Sequence, residues 1–118
     1  MPASRKNEFR IECEERRNLL IFEIHGDLID ASDIHAIDDF MRSRTETRVI
    51  IVLEDVGYMN SSGFSGVILL ADHLKERNVR MMIVGLNRNV QIVFNSLGAS
   101  DVIETYPTLD VAIKAVNS

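Results

Sequence analysis

From Asn60 to Gly63 the chain reads Asn-Ser-Ser-Gly, which sets two hydroxyls beside an amide just before an apolar helical pattern opens at Phe64. All three polar side chains are of types that cap helices. The free amides of a helix start, together with the helix dipole, favour an anion. A phosphate on Ser61 would be tolerated by its own helix, yet it would add about −1.5 to −2 charges at pH 7. Gly63 leaves no side chain to crowd a modified serine or an approaching protein. The chemistry within reach is that of a modification switch, in which the loop keeps its shape while its surface charge changes. The plainer alternative is that these residues only cap the helix.

Other residues could do chemistry but lack the pattern for it. His25, Asp27, Asp30, Asp33 and His35 lie close in sequence without compact ligand spacing, and acids are common at helix starts, so no metal is expected. Ser61 with a histidine would suggest a hydrolase, but there is no G-x-S-x-G elbow and no nucleophile–base–orienter set. No catalytic residue is assigned, and the chain is expected not to be an enzyme. The G-x-x-x-x-G-K-[ST] phosphate loop is missing too, and no cofactor is expected. Cys13 is the single cysteine, so no internal disulfide can form; its place in an alternating segment reads as packing rather than redox chemistry. Tyr58 and Met59 are candidate exposed anchors for a partner, while Phe64 is core by default.

The elements that must position Ser61 follow from periodicity. Phe9, Ile11 and Cys13 alternate with charged residues, as in a strand with one wet face. Glu15 to Asn18 makes a polar turn, and Leu19 to Ile24 is a denser strand that pairs back and ends at Gly26. Ser32 or Asp33 can cap a helix that buries Ile34, Ile37 and Met41 and turns Asp38, Asp39 and Arg42 to water. Val49 to Leu53 and Met81 to Val84 are continuous apolar runs, as in strands of a parallel sheet covered on both faces. Phe64, Val67, Ile68, Ala71 and Leu74 form the stripe of a second helix. A third buries Val90, Val93, Phe94 and Leu97 and stops at Gly98. Val102-Ile103 reads as a short strand, and Thr108 caps a last helix with Leu109, Ala112, Ile113 and Val116 inward.

The order is β-β-α-β-α-β-α-β-α. It implies an α/β fold with a small mixed, mainly parallel sheet flanked by about four helices, joined by right-handed crossovers and bearing an antiparallel edge. Sites in such sheets form where loops leave the carboxyl ends of the strands. Three such loops, Gly26 to Asp33, Glu54 to Ser62 and Gly85 to Asn89, should therefore meet.

The chain has 118 residues, which suits one domain over 1–118, with the polar residues 1–7 expected to be disordered. Hydrophobic residues make up 46%, enough for a core. Only 6% are aromatic and the net charge is −5, both of which argue against nucleic acid as a direct partner. The start is not a signal peptide and no apolar run approaches the roughly 20 residues that span a bilayer, so a cytoplasmic protein without membrane association is expected. The glycosylation sequon spelled by Asn60-Ser61-Ser62 carries no weight on that reading.

Val49 to Leu53, then Tyr58-Met59-Asn60-Ser61-Ser62-Gly63-Phe64, resembles the STAS family pattern. That pattern is a strand, a loop with an acidic residue, a phosphorylatable Ser or Thr, a small residue, Gly and an apolar helix. Gly26-Asp27-Leu28-Ile29-Asp30 resembles the family's turn after the second strand. Met81 to Gly85, Asn89 to Leu97, Gly98-Ala99 and Val102-Ile103 resemble its later elements. The resemblance is to the anti-sigma factor antagonist type and implies a STAS-like fold. It also implies phosphorylation of Ser61 rather than Ser62, and a partner surface of Asp27, Asp30, Tyr58, Met59, Asn60, Ser61, Ser62, Gly63 and Phe64. The implied partners are a serine kinase that doubles as anti-sigma factor, bound when Ser61 is unphosphorylated, and a resetting serine phosphatase; a monomer is expected. Family members often carry Asp where Asn60 stands, so a charge is lost here. A receiver domain is disfavoured by the opening β-β order and the missing lysine near Pro107. A constitutive STAS scaffold, or a subunit of a stress-signalling or lipid-transport assembly in which Ser61 only caps, remains the alternative.

Overall fold

The computed structural model describes residues 9–117, so the expectation of disorder at residues 1–7 lies outside the described residues. The strands are β1 (Arg10–Arg16), β2 (Leu19–His25), β3 (Arg48–Asp55), β4 (Arg80–Val84) and β5 (Glu104–Tyr106). The helices are α1 (Ala31–Met41), α2 (Ser61–Glu76), α3 (Arg88–Ser96) and α4 (Leu109–Val116), with a single 3-10 turn at Ala99–Asp101. The strands lie in the order β1-β2-β3-β4-β5, antiparallel between β1 and β2 and parallel beyond. The expected mixed, mainly parallel sheet flanked by four helices is the observed one.

Alternation along the strands divides the core in two. Leu20, Phe22, Ile24, Val49, Ile51, Leu53, Met81 and Ile83 face α1, α2 and α3. Leu19, Ile21, Ile50, Val52, Met82 and Val84 face α4, through Ala112 and Val116. Strands covered on both sides are apolar along the covered stretch, which is why residues 19–22 of β2, 49–53 of β3 and 81–84 of β4 read as unbroken runs. The edge strand β1 has no such cover, and Cys13 on it is exposed rather than packed. Desolvation and then the charge of Glu15 raise the pKa of its thiol, so the reactive thiolate is scarce.

Several elements depart from their periodicity. The fifth strand is Glu104–Tyr106, not Val102-Ile103. Gly98 takes a left-handed φ of 72°, and the turn that follows bonds Val102 and Ile103 N–H groups back to the Ala99 carbonyl. Ile103 is buried as a turn residue, and Val102 points outward. On α3 only Val90 and Phe94 are buried; Val93 and Leu97 are exposed. The cap of α1 is Asp30, whose carboxylate accepts from the Ser32 N–H, not Ser32 or Asp33.

Asp38 does not face water either. Its side chain is 4% exposed, and one oxygen lies 2.7 Å from Nδ1 of His73 on α2. The other lies 3.6 Å from the Arg77 guanidinium. Gly66 lets the helices approach closely enough for this contact, since a Cβ there would sit 3.1 Å from the Ala31 Cα. Asp38→Ala should lower stability by about 1–3 kcal/mol, the cost of stranding partly buried partners that water can still reach. Urea unfolding measures it; an unchanged midpoint would mean that the contact contributes nothing.

Candidate functional site

The β3–α2 loop is fixed from both sides. Gly26, at φ 95°, donates its N–H to the Asp55 carbonyl at 3.2 Å. The Leu28 N–H reaches the Tyr58 carbonyl at 3.0 Å, and the Asn60 N–H returns to the Leu28 carbonyl at 3.3 Å. Leu28 and Met59 thereby form an isolated parallel bridge. From the other flank the Asn87 amide donates to the carbonyls of Val56 and Gly57, while its oxygen accepts from Val90 N–H and caps α3. The three loops at the carboxyl end of the sheet do meet, joined by hydrogen bonds from backbone and side-chain amides.

Within this frame the polar residues divide the work. Asn60 is the N-cap of α2: its oxygen accepts from Gly63 N–H at 2.9 Å, while its NH₂ donates to the Ile29 carbonyl at 3.1 Å. A carboxylate could accept the first bond but not donate the second. Asn60 thus has a structural use that Asp could not serve. Ser62 is half-buried, and its hydroxyl accepts from Ala31 N–H at the start of α1. Ser61 is the first residue of α2, exposed, and its hydroxyl bonds to nothing among the described residues.

The remaining predicted site residues separate into surface and support. Tyr58 is 56% exposed. Met59 is 6% exposed and Phe64 5%, so Met59 is core rather than an exposed anchor, and Phe64 packs against Phe94. Both side chains are almost wholly buried. Gly63 is buried, and its small size serves the fold: a Cβ there would lie 2.2 Å from the Leu28 carbonyl oxygen and 2.9 Å from Met59 Cγ. Asp27 is half-buried and Asp30 exposed on the adjoining loop. The N–H and then the hydroxyl of Ser32 hold the Asp30 pKa below its ordinary value.

Beside Ser61 lies an open cleft of about 720 Å³ between α2 and α3. Tyr58, Ile68, Val93 and Leu97 give it an apolar wall, and Ser61 and Ser65 line its edge. Val93 and Leu97 are the residues that sequence reasoning missed, because their helical spacing matches core. Among the described residues no hydrogen bond joins Ser61 to a histidine. His25 is held by Asp55 at 2.6 Å and His73 by Asp38, and His35 lies 3.7 Å from Asp39 on its own helix. Residues 61 and 73 lie twelve positions apart on one helix, about 18 Å at 1.5 Å per residue.

The STAS domain family matches residues 10–112. The chain belongs to the STAS family. An anti-sigma factor antagonist from Mycobacterium paratuberculosis is similar in structure, with a TM-score of 0.83 at 19% identity, covering 98% of this chain and 100% of that one. The Bacillus cell fate determinant SpoIIAA in its phosphorylated form aligns with a TM-score of 0.68 at 20% identity, over 92% and 99% of the two chains. The STAS domain of a SulP transporter from Vibrio cholerae gives 0.73 at 19%, over 87% and 84%. No curated protein sequence matches the chain. Among the described residues no helix is long and apolar enough to cross a membrane.

Two substitutions probe this STAS site's frame. Asn60→Ala should cost about 0.5–2 kcal/mol through loss of the cap. Gly63→Ala should cost about 1–3 kcal/mol through overpacking against Leu28. Urea titration separates them from Ser61→Ala, which removes no bond and should leave the midpoint within error. A larger loss for Ser61→Ala than for Asn60→Ala would overturn the division of labour.

Proposed function

We propose that this STAS domain is a phosphorylation-switched protein-binding module of the anti-sigma factor antagonist type. Unphosphorylated, it binds a cytoplasmic serine kinase that is also an anti-sigma factor; phosphorylation of Ser61 releases that partner, and a phosphatase restores the bound form. The observation that carries the reading is the free hydroxyl of Ser61. Of the three polar residues at the start of α2, Asn60 and Ser62 are engaged in holding the loops, and Ser61 alone is exposed and unused.

The surroundings support a docking surface. Tyr58, Val93 and Leu97 offer apolar area beside Ser61, and an interface commonly has such a centre with a polar rim. Glu54 and Asp55 are exposed at the end of β3, and Asp30 on the next loop. A phosphate on Ser61 adds to this acidic group, so a partner that covers it must desolvate like charges. The structural relatives include SpoIIAA in phosphorylated and unphosphorylated forms, and that too supports a switch. The likeness to a transporter STAS domain supports the second reading, a constitutive scaffold in which Ser61 stays unmodified.

Phosphopeptide mapping of the chain isolated from its cells should place phosphate on Ser61. Phosphate confined to Ser62, Ser65 or Ser32 would reject the assignment. In calorimetric titrations of the partner kinase, Ser61→Ala should bind as wild type does and become insensitive to ATP. Ser61→Asp should lose about 2–5 kcal/mol, the usual range for an unmatched buried charge at an interface. That is roughly a 30-fold to several-thousand-fold weakening, with the lower end expected because one carboxylate mimics phosphate poorly. Equal affinity for all three folded proteins would leave the scaffold reading.

A further inference from the structure

We propose that Glu12, Glu23 and His25 form a binding site for a divalent transition-metal cation of the zinc type, with Asp55 as the residue that positions the histidine. Glu12 and Glu23 are register partners across β1 and β2, and His25 follows Glu23 by two residues, so all three project from one face of the sheet. Their spacing in sequence hides this; only the hairpin brings them together. One ligand atom from each lies within 4.8 Å of the others.

The histidine is what distinguishes this group from a patch of surface acids. Its side chain is only 15% exposed. Nδ1 lies 2.6 Å from an Asp55 carboxylate oxygen, so a neutral imidazole here donates from Nδ1–H and leaves the Nε2 lone pair free. Nε2 is shielded from solvent and has no hydrogen-bond partner among the described residues. It faces Glu12 at 3.8 Å and Glu23 at 3.6 Å. Those separations are long for hydrogen bonds. They are close to the spacing of two donors on one tetrahedral ion, about 3.4 Å for bonds of about 2.0–2.2 Å. An imidazole oriented by a carboxylate on its far nitrogen is the usual arrangement behind a metal-binding histidine. One nitrogen and two carboxylate donors favour zinc and its neighbours over magnesium or calcium, and leave a fourth position for water.

One observation acts against the ion. Arg10 Nε lies 3.2 Å from the Glu12 oxygen that faces His25, so the guanidinium competes for that ligand. Its removal should therefore strengthen binding. The competing account is a protonated imidazolium held among Glu12, Glu23 and Asp55, which requires no metal.

The test is isothermal titration of the whole chain with Zn²⁺ in a Cys13→Ser background, which removes the one thiol, with Mg²⁺ as control. One zinc per chain and no magnesium response are expected. His25→Ala and Glu23→Gln should each abolish the zinc heat. Glu23 is half-exposed, so Glu23→Gln keeps the test open if His25→Ala fails to fold. Asp55→Asn should weaken binding about 10–100-fold, with partial recovery in Asp55→Glu, as a positioning carboxylate requires. Arg10→Gln should tighten it. No saturable zinc binding, or binding that survives both His25→Ala and Glu23→Gln, overturns the proposal.

Discussion

The close approach of α2 to the loop after β2 is the constraint on which the rest depends. Gly63 sits where any side chain would strike the Leu28 carbonyl, and that proximity lets three backbone bonds zip residues 26–28 to residues 55–60. Asn60 completes the seam by using its amide in both directions, and Ser62 anchors the first turn of α1. A loop with its polar groups paired in this way has little reason to rearrange. On the proposed reading, the serine left over would change charge without disturbing its neighbours.

That separation of structure from signal suits a domain whose surface is to be read by a protein. The apolar wall of Tyr58, Val93 and Leu97 adjoins Ser61, while Met59 and Phe64 stiffen it from beneath. Acidic side chains gather at the same end of the sheet, and Asp30 is held ionised by Ser32. In the proposed switch, one added phosphate would join the exposed Asp30, Glu54 and Asp55, and like charges weigh most at a desolvated interface.

Much of this was legible in the sequence because two-sided burial leaves a strong mark. The runs 49–53 and 81–84 had to be interior strands, and the β-β opening had to be an edge. Ser61 was legible as a helix-start hydroxyl. What escaped depends on the third dimension. Asp38 obeys the polar side of the α1 pattern but meets His73 and Arg77 from α2, a neighbour that periodicity does not contain. Val93 and Leu97 obey the core pattern, yet α3 is short and buries only Val90 and Phe94. The apolar pair at 102–103 has the trace of a strand, yet only Ile103 is buried, as a turn residue; the Gly98 turn shifts the pairing to Glu104–Tyr106. Met59 looked like an anchor because its bridge to Leu28 is a contact between distant loops. Glu12, Glu23 and His25 join only through the β1–β2 register.

The central claim is that modification of Ser61 alters charge and not conformation. Amide hydrogen exchange at Leu28, Asn60 and Gly63, compared between the unmodified chain and the chain carrying phosphoserine at position 61, tests it most directly. These three N–H groups report the Leu28–Tyr58 bond, the Asn60–Leu28 bond and the α2 cap. The account predicts that their protection is unchanged by the phosphate. Loss of protection at all three would contradict it, and would mean that the switch works by opening the seam between the loops.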